Sequence, residues 1–296
     1  MTMFEVVDIS DWVVVSQEFG GDDDKAWVAR PEHANDQFPS EWWIFKPVKR
    51  GATSAYRRHD DQAERAASAL AGLIGLPAAA VEQARRGSTA GTISRNVIPA
   101  GWEERSGDLI LSERPGYLSC SVTPRPKNRV GHNLSNIRSV LRHVRGPVGR
   151  CADWPAFDVF VGYLVFDAWI ANTDRHARNW SLVVRGDERR LAASFDHGSA
   201  LASGSTDAVL SAQDPIQFAR RGCAGRFEDG QSVTLVDLAL DAARHGGPTA
   251  SRWFESLAAV DDGRVDRILS FVPGVSERRR TFLSAVLAEN KRRLLS

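Results

Sequence analysis

The residues in this sequence best suited to chemistry are an Asp, an Asn five positions later, and a second Asp beyond a hairpin. The segment Ile170-Ala171-Asn172-Thr173-Asp174-Arg175-His176-Ala177-Arg178-Asn179-Trp180 leaves a long apolar run and enters a short apolar strand, Trp180 to Val184. A polar turn, Arg185 to Arg190, leads to a second strand, Leu191 to Phe195, and then to Asp196-His197-Gly198. Pairing Val184 with Leu191 sets Asn179 opposite Asp196 at the open end of the hairpin, beside the loop that carries Asp174. An amide oxygen and a carboxylate converging in this way suit a hard cation: Mg²⁺ takes oxygen ligands, keeps some waters and accepts the rest from substrate phosphates. Asp174, free of the metal, is placed to orient a hydroxyl and accept its proton, which is the layout of phosphoryl transfer. His176 and His197, with Asp174 or Asp196, give a rival reading as a zinc or iron site of a hydrolase. His176 is otherwise expected to orient the loop by hydrogen bonding, and Arg175 is either a salt-bridge partner or a phosphate contact.

These groups need elements to hold them. Trp12 to Val15, Ala26 to Ala29 and Trp42 to Phe45 read as short strands, with a turn-prone stretch, Gly20 to Lys25, between the first two. Lys46 at the end of an apolar strand requires a partner. Ala63, Ala66, Ala67, Leu70, Leu73 and Ile74 recur at helical spacing; Asp60 or Asp61 caps the start, and Gly75 and Pro77 stop the helix. Thr89 to Ile98 and Leu109 to Leu111 read as further strands. The second half is helical, from Leu134 to Val144, at 153–171, and at roughly 232–245, 250–260, 263–271 and 276–295. The run from Asp153 to Ala171 has so little polar face that it must be buried nearly all round. The fold class is therefore α+β, with a β-rich lobe over 1–100 and a helical lobe over 101–296, the boundary falling near 97–112.

The paired motifs, Asn-Thr-Asp-Arg-His-Ala-Arg-Asn and Phe-Asp-His-Gly around a hairpin, resemble the catalytic and metal-binding loops of HipA-like kinases. Those are bacterial Ser/Thr kinases of toxin–antitoxin type, related in fold to phosphatidylinositol 3- and 4-kinases. The resemblance implies a two-lobed protein-kinase-like fold with ATP between the lobes. By match, Asp174 is the catalytic base, and Asn179 and Asp196 bind metal. Trp43-Ile44-Phe45-Lys46-Pro47 resembles the strand bearing the nucleotide-binding Lys, here Lys46, with Glu64 as its acidic partner. Gly20 to Trp27 resembles the phosphate-facing loop, which assigns Gly21 and Lys25 to the nucleotide. Gly91 to Val97 is similar to the strand leading to the adenine hinge, which assigns Val97 there; His176 joins the same nucleotide set. Two departures stand out. HipA toxins carry an additional N-terminal subdomain, so a compact, stand-alone relative is expected. The phosphate loop also holds Asp22-Asp23-Asp24, which repel a triphosphate unless they point outward, and has no Ser or Thr for self-phosphorylation.

The implied ligands are ATP and Mg²⁺, with a protein Ser or Thr as acceptor and an antitoxin-type protein as partner. A small molecule, lipid head group or peptide natural product is the alternative acceptor, and an ATP-deficient pseudokinase is the alternative to an enzyme. With 38 Lys and Arg against 37 Asp and Glu, the chain is not built to grip phosphate backbones, so direct nucleic-acid binding is not expected. The clusters at Arg278 to Arg280 and Lys291 to Arg293 read as a solvated helix face. The loop with Arg114, Arg125, Lys127 and Arg129 is either solvated or a contact for an acidic substrate. No membrane segment or signal peptide is expected, and three scattered cysteines fit a reducing cytoplasm. No P-loop or Rossmann glycine motif occurs.

Overall fold

The computed structural model describes residues 3–17, 25–37, 39–48, 57–119 and 129–296. A six-stranded sheet is built from β1 (Val6–Asp8), β2 (Val13–Gln17), β3 (Ala26–Ala29), β4 (Trp43–Pro47), β5 (Val81–Arg86) and β6 (Thr89–Arg95). Their order is β1-β5-β6-β4-β3-β2, with β1 parallel to β5 and every other pair antiparallel. Side chains alternate across a strand. Phe45 enters a small core with Ile9, Trp12, Val28, Ala84 and Ile93, so Lys46 turns to the opposite face, where α1 (Asp60–Ile74) passes. The close approach of β6 to β4 requires Gly91, because a Cβ there would lie 2.3 Å from the Lys46 carbonyl oxygen.

The remaining helices are α2 (Gly107–Leu111), α3 (Leu134–Val140), α4 (Ala156–Trp169), α5 (Asp207–Ser211), α6 (Pro215–Arg221), α7 (Leu235–His245), α8 (Arg252–Ala258), α9 (Asp262–Phe271) and α10 (Glu277–Leu294). All fourteen residues of α4 are buried, as its composition demands, and it forms the axis of a large core that also takes in the Ala-rich face of α1. A second sheet joins β7 (Glu103–Ser106) to the hairpin of β8 (Ser181–Arg185) and β9 (Glu188–Leu191), in the order β7-β8-β9. Among the described residues no helix is long and apolar enough to cross a membrane.

Four expectations are corrected. The hairpin turns through Gly186-Asp187, with Gly186 at φ +57°, and pairs Leu182 with Leu191. The register is therefore shifted by two, β9 starts earlier, and Asn179 does not face Asp196 across a ladder. Leu109 to Leu111 is helical, not extended, because Ser106 caps α2 through the Leu109 N–H. Helix α1 takes His59 at its N-cap without a side-chain bond, and Asp60 and Asp61 lie in its first turn. The basic clusters are a solvated face only in part: Arg278 and Arg292 are exposed, whereas Arg279 is 1% exposed, Lys291 donates to the Val260 carbonyl and Asp262, and Arg293 donates to the Ala219 carbonyl.

Candidate active site

The site is built outward from α4. Asp167 in its last turns is buried at 1% exposure, and a buried carboxylate must be paired. It accepts Arg175 Nε at 2.7 Å and Nη2 at 2.9 Å, a bidentate pair, and Asn172 Nδ2 at 2.7 Å. Arg175 also donates to the Asn179 carbonyl and to Ser194 Oγ. One guanidinium thus ties the helix exit, the far end of the loop and the segment leading to Asp196. The choice left open for Arg175 is decided for the salt bridge, because its guanidinium is fully committed inside the protein.

This frame sets two clusters. In the first, Lys46 Nζ donates to Glu64 Oε1 and to Asp196 Oδ1, both at 2.8 Å, and Lys25 Nζ lies 3.9 Å from Asp196 Oδ2. Glu64 is 2% exposed, and its Oε2 faces the His197 N–H. Burial opposes the Lys46 charge, but Asp196 and Glu64 prevail and hold its pKa well above the usual lysine value. Burial also works against the Asp196 carboxylate, and Lys46 and Lys25 overcome it, so its pKa falls below the ordinary range. For Glu64 burial dominates and the pKa rises despite Lys46.

In the second cluster Asp174 Oδ2 accepts Ser199 Oγ at 3.3 Å, while Arg226 Nε lies 2.6 Å from the buried Oδ1 as an ion pair without hydrogen-bond alignment. The Asp174 carbonyl accepts Asn179 Nδ2 at 2.7 Å, and its N–H is turned to Asn172 Oδ1 at 3.3 Å. Burial keeps the His176 pKa low against the pull of Asp174 and Asp196, with Arg226 and Arg175 on the side of burial.

Backbone strain is concentrated at this site. Of the six non-glycine residues with positive φ among those described, Ala171, Asp196, Leu201 and Ala202 lie in the stretch 171–202, and each such residue costs about 1–3 kcal/mol that surrounding contacts must offset.

Asn179 gives its amide N–H to the loop, which leaves Oδ1 as an oxygen donor, and Asp196 adds a carboxylate. These hard donors suit Mg²⁺. No group of three or more His, Cys, Asp or Glu able to hold a metal occurs among the described residues, so a cation bound here would need further ligands from water and phosphate oxygens. The histidine site for zinc or iron is not assembled: His197 is buried with Nε2 2.8 Å from Ser194 Oγ, beside Arg175, and His176 Nδ1 accepts the Arg178 N–H.

The remaining assignments are placed as follows. Val97 lies two residues past β6, where Asn96 is bonded to the Pro39 and Trp42 carbonyls. Gly21 and the three Asp of its loop lie outside the described residues, as do Arg125 and Lys127. Arg226 and His132 carried no signal in the sequence. His132 Nδ1 donates to the Arg226 carbonyl at 2.7 Å, its Nε2 accepts Trp180 Nε1 at 3.3 Å, and its ring stacks on Phe227. Those partners fix a neutral tautomer, and burial pushes the pKa down to about 4. A depressed pKa means that the stability is fully present above the ordinary value of 6.5 and is lost as pH falls toward about 4. For this one group the loss is on the order of 3 kcal/mol. His132→Gln should therefore flatten part of the acid dependence of unfolding free energy over that window, measured by urea denaturation; an unchanged slope would remove His132 from the account.

The sequence matches the HipA-like C-terminal domain over residues 18–229, well over half of the chain. The chain belongs to the HipA-like C-terminal domain family. This HipA-like chain is similar to the Helicobacter pylori proinflammatory kinase CtkA at a TM-score of 0.69 and 16% identity, covering 98% of this chain and 96% of that one. It is similar to Shewanella oneidensis HipA, solved with HipB and operator DNA, at 0.50 and 14%, covering 99% and 67%. The hydra Fam20 with sugar gives 0.52 and 13%, covering 97% and 86%. At these identities the likeness is one of fold, and the HipA-like fold is protein-kinase-like. No curated protein matches the sequence.

Proposed function

We propose that the chain is an ATP- and Mg²⁺-dependent phosphotransferase that passes the γ-phosphoryl group to a hydroxyl, most simply a protein Ser or Thr. The observation that carries this reading is the Lys46–Asp196–Glu64 cluster set beside a separate Asp174, joined through one loop frame. Bound Mg²⁺ supplies charge neutralisation of the phosphates. Lys46, steadied by Glu64, holds phosphate oxygens, with Lys25 beside it. Asn179 and Asp196 present the metal-facing oxygens. Asp174 orients the acceptor hydroxyl and takes its proton.

Asp196→Ala should remove Mg²⁺-dependent nucleotide binding, weakening it by about tenfold or more, or at least 1.4 kcal/mol. Calorimetric titration of ATP with and without Mg²⁺ measures this. Equal affinity of wild type and variant in Mg²⁺ would sink the metal assignment. Mass spectrometry after incubation with Mg·ATP, across protein, lipid and small-molecule acceptors, identifies the acceptor class. Because the Shewanella HipA was solved with HipB, we also propose an antitoxin-type protein partner, tested by co-purification of a defined candidate.

A further inference from the structure

Ser199 sits where an acceptor hydroxyl belongs. Its Oγ lies 3.3 Å from Asp174 Oδ2, within reach of a general base in a structure without substrate. We propose, resting on the phosphotransferase reading above, that Ser199 is an internal phosphoryl acceptor and that the chain modifies its own catalytic segment.

Three observations single out this hydroxyl. Among the described residues it is the side-chain hydroxyl bonded to Asp174, whereas Ser194 Oγ is held by His197 and Arg175, and Ser203 is 2% exposed. The segment that carries it is pinned at both ends. Asp196 is held by Lys46 upstream, and Arg279 donates to the Ala202 and Ser205 carbonyls and to Asp207 downstream. The hydroxyl is thereby kept beside the base by the fold itself, which replaces a bimolecular encounter with a preset geometry. Finally, Arg226 faces the other carboxylate oxygen of Asp174, a cation next to the place where phosphate charge would arrive.

The step balances as follows. Ser199 Oγ bonds to the γ-phosphorus of a nucleoside triphosphate, and the bond from that phosphorus to the bridging β,γ-oxygen breaks. The electron pair of that bond leaves with the nucleoside diphosphate, and the hydroxyl proton passes to Asp174 Oδ2. The product adds a charge of about −1.5 to −2 beside Asp174. It repels that carboxylate and offers Arg226 a stronger partner, so the modified chain is closed to outside acceptors.

The test is peptide mapping by mass spectrometry after incubation of the full chain with Mg·ATP. One phosphoryl group is expected on Ser199, formed with a first-order rate constant that does not change on about tenfold dilution, since the acceptor is tethered. Ser199→Thr should keep the modification; Ser199→Ala and Asp174→Asn should lose it. Thermal unfolding of each variant establishes that it is folded. Modification elsewhere, a rate that scales with protein concentration, or ATP turnover with Ser199 unmodified overturns the proposal. Calorimetry separates the two levels: Mg·ATP binding without Ser199 modification defeats this inference alone, and no binding defeats the phosphotransferase reading with it.

Discussion

Asp174→Asn should lower phosphoryl transfer by about 10²–10⁴-fold, the usual contribution of a positioned general base, while Mg·ATP affinity stays within about threefold of wild type. The split follows from how the loop is held. The hydrogen bonds from Asn179 and to Asn172 use the backbone of residue 174, so changing its carboxylate to an amide leaves the loop in place. What the variant loses is the proton acceptor and the charge opposite Arg226. None of these groups belongs to the Lys46 cluster that would hold the nucleotide. Single-turnover kinetics with calorimetry reads both quantities. Full transfer in the Asn variant removes Asp174 from the mechanism, and a collapse of binding would mean that the two clusters are not separable.

Lys46→Met should be the more disruptive change, costing about 3–5 kcal/mol of stability as well as activity, because it strips the cation from a buried arrangement. Lys46 serves Glu64, 3% exposed at its side chain, and Asp196 at once. In the wild type Asp196 is held below the ordinary carboxylate range, so its stabilisation is present at neutral pH and lost as pH falls through that range. Lys46 is held high, so its share is present below the ordinary lysine value and fades only in strong alkali. In the variant Glu64, already raised by burial, faces Asp196 without the lysine that bridged them. Protonating it then relieves repulsion that Lys46 no longer offsets, so mild acidification should favour the variant more than the wild type, whose Glu64 still has Lys46 to lower its pKa. Adding Glu64→Gln should restore much of the stability and none of the activity. Urea denaturation across pH measures both, and a variant whose pH dependence equals that of the wild type would contradict the three-way pairing.

How much of this was legible in the sequence differs by element. Strand β3 has its expected bounds and helix α1 its expected end, with the start one or two residues earlier than the Asp cap implied, because short apolar stretches and small apolar residues at helical spacing are local signals. Strand β7, Glu103-Glu104-Arg105-Ser106, has no apolar alternation, since its pairing with β8 is what holds it. The hairpin register was misjudged by two because Gly186 accepts positive φ and shortens the turn. Asp174, Asn179 and Asp196 were chosen from residue type and spacing, and the structure does bring them into one region, though through Arg175 and not through strand pairing. Asp167 was within reach, since each of the two carboxylates in this apolar helix, Asp158 and Asp167, demands a partner. Arg226 and His132 were not, because each reaches the site from a distant stretch of chain and leaves no local pattern, and Ser199, though next to the second motif, gives no sign of its bond to Asp174 without the fold.

The bidentate grip of Asp167 on Arg175 also bears on how such a chain can diverge. Both of its carboxylate oxygens are engaged, one of them shared with Asn172, and the pair lies inside the main core. Replacing either partner alone leaves an unmatched charge in the interior, at a cost of about 3–5 kcal/mol, so a change of anchor calls for both partners to change together. Loops outside this pair can therefore change at far less cost than the anchor from which the loop of residues 172–179 hangs.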